Sequence, residues 1–206
     1  MYPVNNFKVS YHLPPVQGRM VPYAFWDDAF NENELNWLQA QAAAASEVAA
    51  VGRQEDLPPG ETGVVKDLRR TLISWMRLDV TNEWVYAKLA YAAQNLNISY
   101  FNLDLTGFVE PLQMTNYLAD DRGTYDWHID YGSFICRKLT VIVQLSDPSS
   151  FEGGDLQLQN GGGIITIEKK RGRIIAFPSY CLHQVTPVTK GSRQTLVSWI
   201  SGPAIR

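Results

Sequence analysis

Two histidines, an aspartate and an arginine are the residues with the most chemistry to offer. His128 and Asp130 form an H-x-D pair. In a strand, residues i and i+2 face the same way, so both side chains can point to one spot. His183 lies 53 residues beyond Asp130, at the start of another predicted strand. Two neutral imidazoles and one carboxylate can hold a divalent metal on one face and leave its other positions open, a donor set suited to Fe(II) and oxygen chemistry. Taken alone, an H-x-D pair is as readily chance or a core hydrogen bond, and a single His183 an ordinary strand histidine. Arg193 adds weight, ten residues after His183. Pro187 and Lys190-Gly191-Ser192 read as a turn, which predicts two antiparallel strands returning Arg193 beside the metal. A buried guanidinium needs a partner. A dicarboxylate co-substrate would supply one through a bidentate pair; a surface Asp or Glu is the alternative.

The elements that must position these residues fall into two textures. In the first half, Leu35, Leu38, Ala42, Ala45 and Ala49 step by threes and fours from a start near Asn31–Asn33 and predict a helix. Val85, Leu89, Ala92 and Leu96 predict a second, with Thr81 as its N-cap. Residues 68–78 read as strand. Residues 52–66, with Pro58-Pro59 and three glycines, read as a long loop, and long loops are often functional. After Asn97, eight short β-type runs separated by turn residues extend to the C-terminus, near 106–118, 124–129, 138–146, 154–159, 163–168, 172–177, 182–188 and 194–200. This rhythm predicts a sandwich or barrel of jelly-roll type, with the preceding helices buttressing one face. Thr140, Ile142 and Gln144 share one face of their strand, and Val141 and Val143 the other.

Bulk properties narrow the function classes. The 206 residues make one ordinary domain, with 45% hydrophobic and 19% charged residues, a globular composition. A net charge of −3 offers no field for nucleic acid or an anionic membrane. The short basic runs Arg69-Arg70 and Lys169-Lys170-Arg171 read as solvated turns or strand ends. Cys136 and Cys181 show no disulfide or C-x-x-C spacing. They suit a reducing, cytoplasmic setting, and the N-terminal residues show no signal or transit pattern. There is no G-x-G-x-x-G, P-loop or G-x-S-x-G motif. Glu152 and Asp155 read as turn residues rather than a catalytic carboxylate pair, and His12 as no ligand.

The run Tyr125-Asp126-Trp127-His128-Ile129-Asp130, then Phe151-Glu152-Gly153-Gly154-Asp155-Leu156, then Phe177-Pro178-Ser179-Tyr180 with His183-Gln184-Val185, Pro187-Val188, Gly191, Arg193 and Trp199, resembles the prolyl 4-hydroxylase-type branch of the Fe(II)/2-oxoglutarate-dependent dioxygenases. The resemblance covers about residues 106–201. It implies a mostly β, α+β architecture: a double-stranded β-helix (jelly roll, cupin-like) buttressed by N-terminal helices. It implies one domain over 1–206, with 1–105 as support and 106–201 as catalytic core. It implies His128, Asp130 and His183 as iron ligands. Arg193 would grip the distal carboxylate of 2-oxoglutarate, where collagen-type members carry lysine. Tyr117, Gln144 and Trp199 would line the co-substrate pocket; each also has a plain reading as a core side chain. The cofactors implied are Fe(II), 2-oxoglutarate and O2, with ascorbate as accessory reductant. The implied substrate is a prolyl residue in a peptide or protein, with the loops at 52–66 and 119–124 as candidate covers. A free amino acid or small metabolite, a cupin-like enzyme without 2-oxoglutarate, and a catalytically silent sensor module stand as rivals.

Overall fold

The computed structural model describes residues 21–50, 63–132 and 135–204. His12, most of the Pro-rich N-terminal stretch and residues 52–62 of the long loop lie outside them. The chain order is β1 (Ala24–Trp26), α1 (Glu32–Ala43), β2 (Glu47–Val48), β3 (Arg69–Arg70), β4 (Leu72–Met76), α2 (Glu83–Leu96), β5 (Gly107–Phe108), β6 (Leu112–Leu118), β7 (Thr124–His128) and β8 (Arg137–Gln144). It continues through β9 (Phe151–Gly153), β10 (Leu156–Asn160), β11 (Gly163–Thr166), β12 (Ile174–Pro178), β13 (His183–Val185) and β14 (Val188–Ser201). The eight expected β regions are all present, though 106–118 is split into β5 and β6.

Two antiparallel sheets form the jelly roll. The larger runs β1-β12-β8-β14-β6-β4-β2, with β5 and β9 on β14. The smaller runs β11-β10-β13-β7-β3. Strand alternation divides the large sheet into two working faces. Leu112 and Met114, Leu139, Val141 and Val143, and Leu196 and Ile200 face one way and pack with Leu35, Leu38, Val85 and Leu89 of the helices. Tyr117, Ile142, Ile175 and Phe177 face the other way and pack with Leu156, Leu158 and Val185 of the small sheet. The helices thus buttress one face, and the site lies against the other.

Asn31 starts α1: its side chain accepts from the Glu34 amide at 3.0 Å, and the Glu34 carboxylate accepts from the Asn31 amide at 2.8 Å. This is a capping box. The helix ends at Ala43. Ala45 and Ala49, expected on its stripe, are buried in the extended chain beyond it, and residues 47–48 pair with β4 instead. Asn82 rather than Thr81 occupies the N-cap position of α2, with no side-chain capping hydrogen bond. The Asp79 carboxylate draws Thr81 into the turn before the helix, accepting from its amide at 2.7 Å and its hydroxyl at 2.6 Å. All four residues of its expected stripe are buried.

The strand expected at 68–78 changes sheets partway. Arg69 and Arg70 pair with β7 in the small sheet, while Leu72–Met76 pair with β6 in the large one. A second crossing corrects the expected hairpin around residue 190. The chain passes from β13 in the small sheet to β14 in the large one at Thr186-Pro187, and Lys190-Gly191-Ser192 lie within β14. Gly191 has φ +68, and a Cβ there would run into the Ser150 carbonyl oxygen. Glycine is what lets this strand bend past β9 without breaking.

Candidate metal and co-substrate site

His128 ends β7 and His183 opens β13, and the two residues face each other across that strand pair. Asp130 sits two residues past β7. Its position is pinned by its own amide and that of Tyr131, both donating to the Ser179 carbonyl at 2.9 Å. The result is a compact donor set: Asp130 Oδ1 lies 3.8 Å from His128 Nε2, and Oδ2 lies 3.5 Å from His183 Nε2. Ligand atoms from all three residues fall within 4.8 Å of one another.

The chemistry of the donor set fits a metal ion. His128 Nδ1–H donates to the Asp126 carbonyl at 2.7 Å, and His183 Nδ1–H to the Cys181 carbonyl at 3.0 Å. A carbonyl can only accept, so each ring carries its proton on Nδ1 and keeps a lone pair on Nε2, the nitrogen aimed at Asp130. Thr140 Oγ1 donates to Asp130 Oδ2 at 2.8 Å and fixes the carboxylate from behind. Burial, then the neighbouring His183, pushes the His128 pKa down to about 4. Burial alone would raise Asp130, but His183, His128 and the Thr140 bond hold it below the usual carboxylate range. His128 and Asp130 are therefore deprotonated at neutral pH, as ligands must be.

These donors line one cavity of about 580 Å³ between the sheets. Tyr117, Arg193 and Trp199 line it too. Arg193 is directly opposite Tyr117 in the β14–β6 ladder, and its guanidinium lies 5.4 Å from the Tyr117 ring centroid. It is 2% exposed, its Nε has no hydrogen-bond partner, and no carboxylate pairs with it among the described residues. Burial lowers its pKa. A buried cation left so is costly unless a ligand completes it. Trp199 stands near the metal donors, with the Arg137 guanidinium 3.9 Å over its ring.

Gln144 shares the inward face with Thr140 and Ile142, and of the three Ile142 lines the cavity. The Gln144 amide turns back to the Ser146 carbonyl at 3.1 Å, because β8 ends there and that carbonyl needs a donor. The 119–124 stretch is a tight turn closed by the Gly123 amide on the Leu118 carbonyl at 2.8 Å, at the Arg193 end of β6. Glu152 and Asp155 pair with Lys190 at 3.0 Å and Lys169 at 2.8 Å.

Sequence reasoning missed Arg69, Gln113, Glu110 and Arg137, all on the cavity wall. Arg69, expected in solvent, is 7% exposed. Its signal was available: inward placement of one residue of an Arg-Arg pair follows from strand alternation, once the pair is known to be in a sheet.

Residues 112–201 match the family model described as the 2OG-Fe(II) oxygenase superfamily. A PKHD-type hydroxylase of Synechococcus sp. (strain CC9311) is 35% identical over 46% of this chain and 45% of its own length. One of Cupriavidus metallidurans is 32% identical over 54% of this chain and 52% of its own, so the chain spans about half the length of these curated relatives. The Escherichia coli PKHD-type hydroxylase YbiX is 24% identical over 93% of this chain and 78% of its own length. In fold, the chain is similar to a Trichoplax adhaerens prolyl hydroxylase (TM-score 0.70, 16% identity, covering 88% of this chain and 84% of that one). It is likewise similar to a Pseudomonas putida prolyl-4-hydroxylase (TM-score 0.66, 17% identity, covering 89% and 94%). The family match takes in both histidines, the aspartate and the arginine, and over residues 112–201 the chain is similar to the 2OG-Fe(II) oxygenase superfamily.

Proposed function

We propose that the protein is an Fe(II)- and 2-oxoglutarate-dependent dioxygenase that hydroxylates an unactivated C–H bond, with a prolyl residue of a peptide or protein as substrate. One observation carries this reading: a two-imidazole, one-carboxylate donor set shares a cavity with a buried arginine that has no carboxylate partner among the described residues. His128, Asp130 and His183 would hold the iron, and Arg193 the distal carboxylate of 2-oxoglutarate. When bound, iron with 2-oxoglutarate and O2 would supply the oxidising power for hydroxylation, with succinate and CO2 as the expected co-products.

The protein's own part is binding, orientation and exclusion of water. The Nδ1–H bonds to Asp126 and Cys181 aim both imidazoles, and Thr140 orients the carboxylate. Three protein ligands would leave the remaining positions to co-substrate and oxygen. Tyr117, Ile142 and Trp199 would wall the cavity against water. The helical half would serve as support and residues 106–201 as catalytic core, with ascorbate keeping the iron ferrous. The prolyl reading draws on the fold neighbours, which include a prolyl hydroxylase described in complex with a peptide fragment.

Incubation with Fe(II), 2-oxoglutarate and a proline-containing peptide library should give succinate and products heavier by one oxygen. His128→Ala and Asp130→Ala should abolish succinate formation. Normal turnover by either variant would refute the ligand assignment. Arg193→Gln should raise the Kd for 2-oxoglutarate by about two orders of magnitude, the size of one lost buried charge pair, with much less effect on metal affinity. Unchanged co-substrate affinity would remove Arg193 from that role.

A further inference from the structure

Arg193 is not the only arginine in the cavity short of a counter-charge. Arg69 reaches in from β3, at the edge of the small sheet. Its Nη2 donates to Gln113 Oε1 at 2.8 Å, while its Nε is buried with no partner among the described residues. Its guanidinium carbon lies 4.5 Å from the centroid of the Tyr125 ring. Tyr125 in turn stacks on His128, with centroids 3.4 Å apart and planes 13° from parallel. A column of guanidinium, phenol and imidazole thus runs from Arg69 to the metal donors.

The other charges on the cavity wall are accounted for. Glu110 takes Arg137 through two hydrogen bonds of 2.5 and 2.6 Å. Asp130 stands with the histidines. Glu47 lies at the exposed rim and makes no ion pair with Arg69. Among the described residues, then, Arg69 is held by one neutral amide and one ring face, with no anion. A guanidinium buried this way is short by the charge of one carboxylate, and its planar fork suits a two-pronged carboxylate contact.

We propose that Arg69 forms a second anion subsite, which binds a carboxylate of the primary substrate and selects substrates that carry one near the C–H bond attacked. The inference rests on the oxygenase reading above and narrows its substrate class. The carboxylate has two chemical sources: the α-carboxylate of a free amino acid or chain end, and an acidic side chain beside the target residue in a peptide.

The test is calorimetric binding to the full chain under anaerobic conditions, with Mn(II) in place of iron and saturating 2-oxoglutarate. The probes are free proline, a proline-terminated tripeptide with a free or amidated C-terminus, and a capped internal-proline peptide with Asp or Asn beside the proline. Wild type should bind a carboxylate form about ten-fold or more tighter than its matched amide, as expected of one charge-assisted pair. The pair that shows the preference names the source. In Arg69→Gln the ratio should fall to about one, and in Arg69→Lys part of it should return, with Mn(II) and 2-oxoglutarate affinities within about two-fold of wild type in both. The proposal is overturned if wild type has no carboxylate preference or retains none of the probes. It is also overturned if the preference survives in Arg69→Gln, or if 2-oxoglutarate affinity falls along with it. Failure of wild type to bind 2-oxoglutarate would instead sink the oxygenase reading itself.

Discussion

His128 shows how burial prepares a side chain for its task. An exposed imidazole titrates near 6.5, about the pH of a cell, and would be partly protonated. Here burial, then His183, moves the value to about 4. Below about pH 6.5 the unfolded chain takes up a proton that native His128 refuses, so this group removes stability as the pH falls from there towards 4. In the metal-free protein, NMR should show His128 neutral from pH 7 to 5, with a midpoint near 4. A midpoint near the ordinary value would contradict the burial argument. The same reasoning predicts that metal binding at pH 7 releases no proton from His128 or Asp130.

Glycine and cap residues set where the strands and helices run. β14 carries Arg193 because it continues through Gly191 instead of turning back. Its neighbour β9 ends at Gly153, where φ is +72 and a Cβ would run into the Pro187 carbonyl oxygen. Gly153→Ala should cost about 1–3 kcal/mol from conformation alone, and more from the clash. It should also displace the Thr186-Pro187 crossing that leads to Arg193, so urea unfolding and 2-oxoglutarate affinity should worsen together. At α1, Asn31→Ala breaks the capping box and should cost about 1 kcal/mol, read as a lower urea midpoint with 2-oxoglutarate affinity unchanged.

The layers are joined through the large sheet, whose two faces serve the helices and the cavity. Leu196, fully buried at the centre of β14, packs against the helical layer. Leu196→Ala should cost about 2–5 kcal/mol by cavity formation, and it tests whether the helices support the strand that holds Arg193. The N-terminal layer is also tied down by charge. Arg173 of the turn before β12 binds Asp27 just past β1, at 2.8 and 3.0 Å. That hydrogen-bonded pair, then Lys170, holds the Asp27 carboxyl below its ordinary value against the opposing effect of burial. The stabilisation is present above about pH 4 and is lost as the pH falls through the lower folded value. For a partly exposed pair it amounts to about 1 kcal/mol. Asp27→Asn should flatten the acid limb of the stability curve by that amount in thermal unfolding at pH 3 to 6. No helix among the described residues is long and apolar enough to cross a membrane.

Local periodicity made much of this readable in advance. The stripe of Val85, Leu89, Ala92 and Leu96, the β rhythm after Asn97, and the i, i+2 spacing of His128 and Asp130 depend only on which way successive side chains point. What periodicity does not carry is which sheet a strand joins. The crossing at Thr186-Pro187 replaced an expected hairpin, and the crossing at Thr71 put Arg69 against Tyr125 in the cavity instead of in water. The end of β8 sent Gln144 to the Ser146 carbonyl instead of to the pocket. The two crossings were set by contacts between segments tens of residues apart, because a strand's hydrogen bonds are completed by its neighbours and not by itself. The four residues singled out first, His128, Asp130, His183 and Arg193, were legible as types and spacings. That they share one cavity, with a second arginine beside them, was decided by how the two sheets close on each other.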